Sequence, residues 1–512
     1  MTKFAESTVE DAAIEWLESL GYSIAHGPDI APDAAGSERT IYADVLLIER
    51  LRNALFTLNP DIPSECLEEV IKRLQRPDQP TLIENNRAFH SLLRDGVDVE
   101  YRLSDGSSKG DKVWLFDFED PDRNDWLAVN QFTVVEKIGT NQHDRRPDVV
   151  VFVNGLPLAV VELKNAADEE ATIWSAYKQF QTYKAEIPSL FVTNAVLLVS
   201  DGLDARIGSL TSGKDRFTPW RTADGEGIAP KTQPQLDVAI KGIFDRRWFL
   251  DYVRNYTVFE TADEKVIKKI AAYHQFHAVR KAVGATVTAS QPSGDKRAGV
   301  IWHTQGSGKS LTMLFYAGRL IEQSQLENPT VVVLTDRNDL DGQLFATFAQ
   351  GMAILRQTPE QAADREDLRD LLKRASGGVV FTTIQKFLPD DQGNEHPLLS
   401  DRRNIIVIAD EAHRSQYGFK SKINKDTGQV SYGFAKYCRD ALPNATFIAF
   451  TGTPVESTDV STRGVFGNEI DIYDIEQAIE DNATVPIYYE GRWIKLGLDS
   501  TAAESLDEEI DE

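Results

Sequence analysis

The sequence predicts an α/β protein in two parts, a mixed domain of sheet and helix followed by a parallel-sheet domain. Three observations carry this reading. From about residue 255 apolar runs alternate with helical periodicity, the pattern of a parallel sheet covered by helices. Before that point two apolar runs meet at an Asn-Gly pair, which marks an antiparallel hairpin. The length of 512 residues suggests three or four domains at ~100–200 residues each, and a hydrophobic share of 41% lets each bury a core. The expected division is 1–254, 255–475, and a remainder 476–512 that begins a linker or a further domain and carries an acidic tail.

Taken in order, Val9, Ala12, Ala13, Trp16, Leu17 and Leu20 recur at three- and four-residue steps, so the spacing predicts a helix from Glu6 toward Tyr22, ended at Gly21. A Pro- and Gly-bearing stretch, 27–36, breaks the pattern, and residues 48–56 and 63–74 read as helices. Strands are expected at 113–116 and 131–135. Val149–Val153 and Leu158–Val161 form the hairpin around Asn154-Gly155-Leu156-Pro157. A helix follows over 169–184, a buried strand over 191–199, and a surface loop over 212–234. Strands at 299–303, 330–334, 378–382, 404–409 and 445–450, with a helix over 311–321, make up the parallel part.

The formal charge is −25, so nucleic acid would be met through local basic grooves or partner subunits rather than the bulk field. Cys66 and Cys438 are far apart and lack metal-ligand neighbours, which fits a reducing compartment and excludes a disulfide framework. No apolar signal core opens the chain and no run approaches ~18 apolar residues. A cytoplasmic protein with no membrane partner is expected.

Two groups of residues carry chemistry. Asp148 begins the first hairpin strand, and Glu162 and Lys164 lie two residues apart on the second, so their side chains share a face that Asp148 can oppose. Two carboxylates supply the hard oxygen donors that Mg²⁺ prefers, and the metal would polarise a scissile phosphate and generate hydroxide. Lys164 would stabilise the developing charge or position the water. Glu-x-Lys also fits an exposed strand face. The apolar flank 158–161 favours function, because ionised groups in such surroundings are expensive unless paired or metal-bound.

The second group is Thr304-Gln305-Gly306-Ser307-Gly308-Lys309-Ser310, after a short apolar strand and before a helix, the context of a phosphate-binding loop. Backbone N–H groups would cradle phosphates, Lys309 would reach the outer ones, and Ser310 would bind Mg²⁺. His303 stands where the loop's first glycine is usual. Residues 404–409 deliver Asp410 and Glu411 at a carboxyl edge, Asp410 for Mg²⁺ and Glu411 as general base toward water.

Arg146-Pro147-Asp148, Glu162-Leu163-Lys164 and Gln179-x-x-x-Tyr183 together resemble the PD-(D/E)xK nuclease pattern of type I restriction motor subunits. Asp410-Glu411-Ala412-His413 resembles the DEAH form of superfamily 2 helicases, and Thr451-Gly452-Thr453-Pro454 resembles their third motif, with His413, Thr451, Gly452 and Thr453 coupling nucleotide state to movement. The resemblance implies a restriction-endonuclease-like α/β domain followed by a RecA-like P-loop ATPase domain. It implies DNA contacts at Gln179, Tyr183, Thr335, Asp336, Arg337, Thr383 and Gln385, and an adenine contact at Gln275. An acidic residue of the first helix, Glu10 ahead of Glu6, would complete the nuclease metal site.

By the same resemblance the cofactors are Mg²⁺ and ATP. The partners are double-stranded DNA and the methyltransferase and specificity subunits of a type I restriction complex, with ATP-driven translocation coupled to cleavage. Only residues 455–512 follow Pro454, and they hold no Gln-x-x-Gly-Arg-x-x-Arg-like segment; Arg463 and Arg492 stand alone. The expectation is an N-terminal portion of a longer subunit, with turnover reduced by ~10³–10⁵-fold without the arginine that completes such sites. The alternative function is an assembly module that binds nucleotide, DNA and partners without turnover.

Overall fold

A computed structural model describes residues 6–165, 172–335, 338–387, 398–410, 422–423, 430–431, 434–453 and 460–484. The first helix, α1 (Glu6–Ser19), leads into a seven-stranded mixed sheet. Its strands are β1 (Ser23–His26), β2 (Trp126–Asn130), β3 (Val149–Val153), β4 (Leu156–Leu163), β5 (Val196–Ser200), β6 (Ala205–Gly208) and β7 (Thr218–Pro219), adjacent in chain order. β1 and β2 are parallel, β2, β3 and β4 antiparallel, and β4 and β5 parallel across helix α2 (Ile173–Glu186).

The hairpin turn is the expected one. Asn154 and Gly155 take φ of 53° and 74°, the left-handed pair a two-residue turn needs. A Cβ on Gly155 would lie 2.4 Å from Leu47 O, so close helix approach also demands glycine there. Leu158 is an extra residue in the β3–β4 ladder, where Val151 pairs with Ala159 and Phe152 with Pro157. Pro157 thus sits beside a bulge, a place where a strand tolerates it.

The second sheet contains β8 (Arg297–His303), β9 (Thr330–Thr335), β10 (Glu360–Gln361), β11 (Val379–Thr383), β12 (Ile405–Asp410), β13 (Thr446–Thr451) and β14 (Glu469–Tyr473), all parallel in the order β10-β11-β9-β12-β13-β8-β14. Helices α3 (Tyr273–Ser290) and α4 (Lys309–Ile321) cover one face. Alternate strand residues divide between two cores. Val331 and Val333 join a cluster continuous with Tyr252, Tyr256, Phe276 and the first sheet, while Val332 and Leu334 pack with Cys438 and Phe466 behind. Among the described residues no helix is long and apolar enough to cross a membrane.

Several expected elements move. The strand expected at 113–116 ends at Val113, where Ser108–Val113 pairs with Val97–Arg102, and Leu115 and Phe116 are buried in irregular backbone. The run 131–135 is split by Gln131 at φ 57°, which separates β2 from a hairpin of Val134–Ile138 with Asn141–Arg145. Pro188 starts a 3-10 turn to Phe191, so β5 begins only at Val196. The 212–234 loop buries Phe217 and Trp220 and gives β7 to the sheet, because those rings fill the space beside His277, Phe276 and Tyr177.

A hairpin of Thr257–Ala262 with Lys265–Ile270 inserts Lys268 into the first half. Its Nζ donates to Asn86 Oδ1 (3.0 Å) and Asn194 O (2.6 Å), and burial pushes the ammonium down to about 7. Above that pH the folded chain holds Lys268 neutral while the unfolded chain protonates it. The unfolded state then binds the extra proton, so this group makes stability rise with pH by up to about 1.4 kcal/mol per unit. In thermal melts over roughly pH 7 to 9, wild type should gain stability relative to Lys268→Met. A pH-independent difference would mean that the buried ammonium keeps its charge.

Candidate active sites

The first candidate site lies at one end of the mixed sheet. Strand register places Asn130 opposite Val149, and Val149 opposite Val161, so Asn130, Asp148 and Glu162 gather at the same edge. Asp148 is half-buried, and one of its carboxylate oxygens, Oδ2, accepts from Leu163 N (2.7 Å). Glu162 is fully buried, with Lys164 Nζ 3.0 Å from its Oε1. β4 ends at Leu163, yet Lys164 N donates to Ser200 O (2.8 Å), which prolongs the ladder and keeps Lys164 on the face of Glu162.

Tyr183, one turn after Gln179 on α2, receives Gln179 Nε2 at 2.6 Å, and its hydroxyl lies 3.5 Å from Arg146 O. Burial, then the negative charge of Glu162, pushes its phenol well above the usual range, so it stays a proton donor. Glu10 of α1 is buried and receives Asn130 Nδ2 (2.7 Å) and Gln131 Nε2 (2.6 Å). Gln131 N donates to Asp148 O (2.9 Å), so Glu10 is held one residue from the Asp148 strand. The side chain of Glu6 lies outside the described residues. Among the described residues no three His, Cys, Asp or Glu side chains form a preformed metal cage.

The second candidate site lies at the carboxyl edge of the parallel sheet, where α/β folds bind ligands. His303, Asp410 and Thr451 end β8, β12 and β13 there. Gly306 and Gly308 take φ of 87° and 84°, which turns the loop into α4. Thr304 and Ser307 are buried, Gln305 and Gly306 exposed, Ser310 half-buried, and Lys309 Nζ rests 3.3 Å from His303 O. Gln275 is buried; its Oε1 accepts from Ala272 N (2.9 Å) and its Nε2 donates to Gly308 O (3.0 Å). Its amide therefore braces the loop in this arrangement.

A Cβ on Gly308 would lie 2.6 Å from Gln275 Nε2, whereas one on Gly306 meets nothing within 4 Å. Gly308→Ala combines left-handed strain of about 1–2 kcal/mol with displacement of that brace. It should weaken binding of a fluorescent ATP analogue by roughly tenfold or more, and more than Gly306→Ala does. Equal losses would remove Gln275 from the account.

Thr335 and Thr383 pair in register between β9 and β11 and are 1% and 3% exposed. Both side chains are therefore buried at the strand ends, whereas Gln385 is exposed on the turn after β11. Thr451 Oγ1 accepts from Thr453 N (3.2 Å), which closes a tight turn through Gly452. Asp336, Arg337, Glu411, His413 and Pro454 lie outside the described residues.

Residues 3–216 match the family of type I restriction enzyme R protein N termini, and residues 274–512 match the SWI2/SNF2 ATPase family. Over 96% of its length the chain is 47% identical to the type I restriction enzyme HindI endonuclease subunit of Haemophilus influenzae, of which it spans 46%. It is a homologue of type I restriction endonuclease subunits. A protein assigned as the type I restriction enzyme MjaIXP endonuclease subunit of Methanocaldococcus jannaschii is 37% identical over 98% of the chain, which spans 47% of it. The chain thus spans about half the length of the curated relatives it matches. The DNA-bound ATP-dependent type ISP restriction-modification enzyme LlaBIII aligns with 43% of this chain and 16% of its own, at 14% identity and a TM-score of 0.28.

For this restriction-subunit homologue the sequence reading missed Asn130 and Gln131, which hold Glu10, and Asp471, which holds His303 at 2.8 Å. His303 was visible as a departure from the loop pattern. Nothing local announces its partner 168 residues away.

Proposed function

We propose that this restriction-subunit homologue cuts duplex DNA at a Mg²⁺-dependent site built on Asp148, Glu162 and Lys164, and uses ATP bound at 304–310, Asp410 and Glu411 to move DNA past it. The observation that carries this reading is the fully buried Glu162 facing Lys164 at 3.0 Å on the sheet edge shared with Asp148. An ionised carboxylate at that depth is costly unless paired or metal-bound. A small set of carboxylate oxygens, Asp148 and Glu162 with Glu10 near them, also matches the donor set of Mg²⁺, which keeps waters and takes substrate phosphate oxygens.

When bound there, Mg²⁺ would polarise the scissile phosphate and generate the attacking hydroxide. Lys164 stabilises charge developing on the phosphate, and Gln179 with the protonated Tyr183 donates to its oxygens. Glu10 contributes a further carboxylate beside Asp148. In the second site the N–H groups opening α4 and Lys309 take the ATP phosphates. Ser310 and Asp410 would hold the Mg²⁺ that accompanies them, and Glu411 would deprotonate the attacking water. Thr451, Gly452, Thr453 and His413 relay nucleotide state. Relatives named as endonuclease subunits support assembly into a larger complex, whose other members on this reading are methyltransferase and specificity subunits gathered on double-stranded DNA.

The test is cleavage of supercoiled plasmid by this chain with its cognate methyltransferase and specificity subunits, in Mg²⁺ with and without ATP. ATP-dependent cutting is the expected result. ATP-independent nicking abolished by Lys164→Ala would retain the nuclease and reject its coupling to ATP. No cutting under either condition would reject the reading.

A further inference from the structure

Residues 220–231 leave the first sheet and lie against the second half of the chain. The Trp220 ring packs 5.7 Å from those of Phe276 and His277, and Gly225 fits against His277 so closely that a Cβ would come within 2.3 Å of Nδ1. Arg221 Nε donates to Asp481 Oδ1 (2.9 Å), and its Nη2 to Glu480 O (3.3 Å). Asp481 is 6% exposed, and its other oxygen accepts from the hydroxyls of Tyr273 (2.9 Å) and Tyr473 (3.0 Å). One buried carboxylate therefore ties an arginine of the first half to two tyrosines of the second.

Tyr473 holds the nucleotide loop at two points. Its carbonyl accepts from Thr304 N (2.9 Å), and its ring stacks on His274 with centroids 3.8 Å apart and planes 7° from parallel. His274 Nε2 lies 3.0 Å from Ser307 O, and because that partner is a carbonyl, Nε2 carries the proton. Burial, then the neighbouring His303, pushes the His274 imidazole down to about 3, so it stays neutral and this donor persists. Asp481, Tyr473, His274 and Ser307 are all under a tenth exposed, so the contacts run from Arg221 to the loop out of water's reach. Such contacts have few alternative partners and transmit displacement.

We propose that Arg221, acting through Asp481, Tyr473 and His274, positions the nucleotide loop, so that the first half of the chain sets the nucleotide affinity of the second. The proposal rests on reading 304–310 as the ATP site. By linkage, nucleotide in the loop also holds the 220–231 segment in place, with reciprocal effects typically of about 5- to 150-fold. Lys231 marks the limit of the device: its pair with Glu480 (2.8 Å) is solvent-exposed and touches neither tyrosine.

The test compares the full chain with its Arg221→Met, Arg221→Lys, Asp481→Asn and Lys231→Ala variants by hydrogen–deuterium exchange and by titration with MgATP. Exchange of residues 149–163 serves as the internal reference for intact folding. Arg221→Met and Asp481→Asn should speed exchange over 303–312 and weaken MgATP binding about 5-fold or more. Arg221→Lys should restore part of both, and Lys231→Ala should change neither. Faster exchange confined to 220–231 and 475–484, with the loop unchanged, overturns the proposal. If Arg221→Met does not fold, Asp481→Asn and Arg221→Lys decide by the same criteria. If the unaltered chain fails to bind MgATP, the ATP-site reading falls, and exchange over 303–312 still decides whether Arg221 positions the loop.

Discussion

Lys164→Ala is expected to reduce supercoiled-plasmid cleavage about 10²–10³-fold, the usual consequence of removing one charge-stabilising donor. MgATP binding should stay at the wild-type level, because the altered site and the nucleotide loop are carried by different sheets. The substitution also takes the cation from beside Glu162, a fully buried carboxylate, and breaking a buried pair in this way costs about 3–5 kcal/mol. Loss of activity alone would therefore be ambiguous between chemistry and folding. The double variant Glu162→Gln with Lys164→Met removes both charges and should recover much of the thermal stability while remaining inactive. Cleavage at the wild-type rate by Lys164→Ala would reject the site, and a double variant no more stable than Lys164→Ala would reject the pairing argument.

Lys309→Ala should weaken MgATP binding by roughly 10- to 100-fold, the range expected for one lost hydrogen bond between charged groups. In this structure the ammonium lies at the loop's entrance against His303 O, ready to exchange that carbonyl for a phosphate oxygen. ATP-dependent cutting should disappear with the affinity. The Glu162–Lys164 pair is untouched, so any metal-dependent nicking that needs no ATP should persist. Equilibrium titration alongside the plasmid assay separates the two effects. Unchanged MgATP affinity would move the nucleotide site away from 304–310.

Parts of this architecture are legible in the linear chain because local rules govern them. The inner strands of the parallel sheet read as continuous apolar runs, since a strand covered on both faces carries no polar alternation. The edge strands Glu360–Gln361 and Glu469–Tyr473 escape that reading because they are short or half-exposed. Asn154-Gly155 announces its own turn through the left-handed φ values that it tolerates. The strand Trp126–Asn130 is hidden because a neighbouring residue, Gln131, takes a positive φ that nothing in its chemistry advertises.

The candidate sites divide in the same way. Asp148, Glu162, Lys164 and the loop 304–310 are picked out by spacing together with their apolar flanks and the motifs they resemble, because a hairpin and a strand–loop–helix each bring their residues together over a short stretch of chain. Glu10 could be named only alongside Glu6; Asn130 and Gln131, brought to it by packing of α1, hold it beside the Asp148 strand. Thr335 and Thr383 look available in the sequence and are 1% and 3% exposed in the fold, which periodicity does not announce. The sequence by itself determined which residues are candidates for the chemistry and the order of the two α/β halves. Tertiary structure alone decided which of those side chains face one another, and it created the Arg221–Asp481 contact across 260 residues. Periodicity reports only a residue's near neighbours along the chain, whereas contacts at that separation are selected by how whole elements pack and which buried charges must be satisfied.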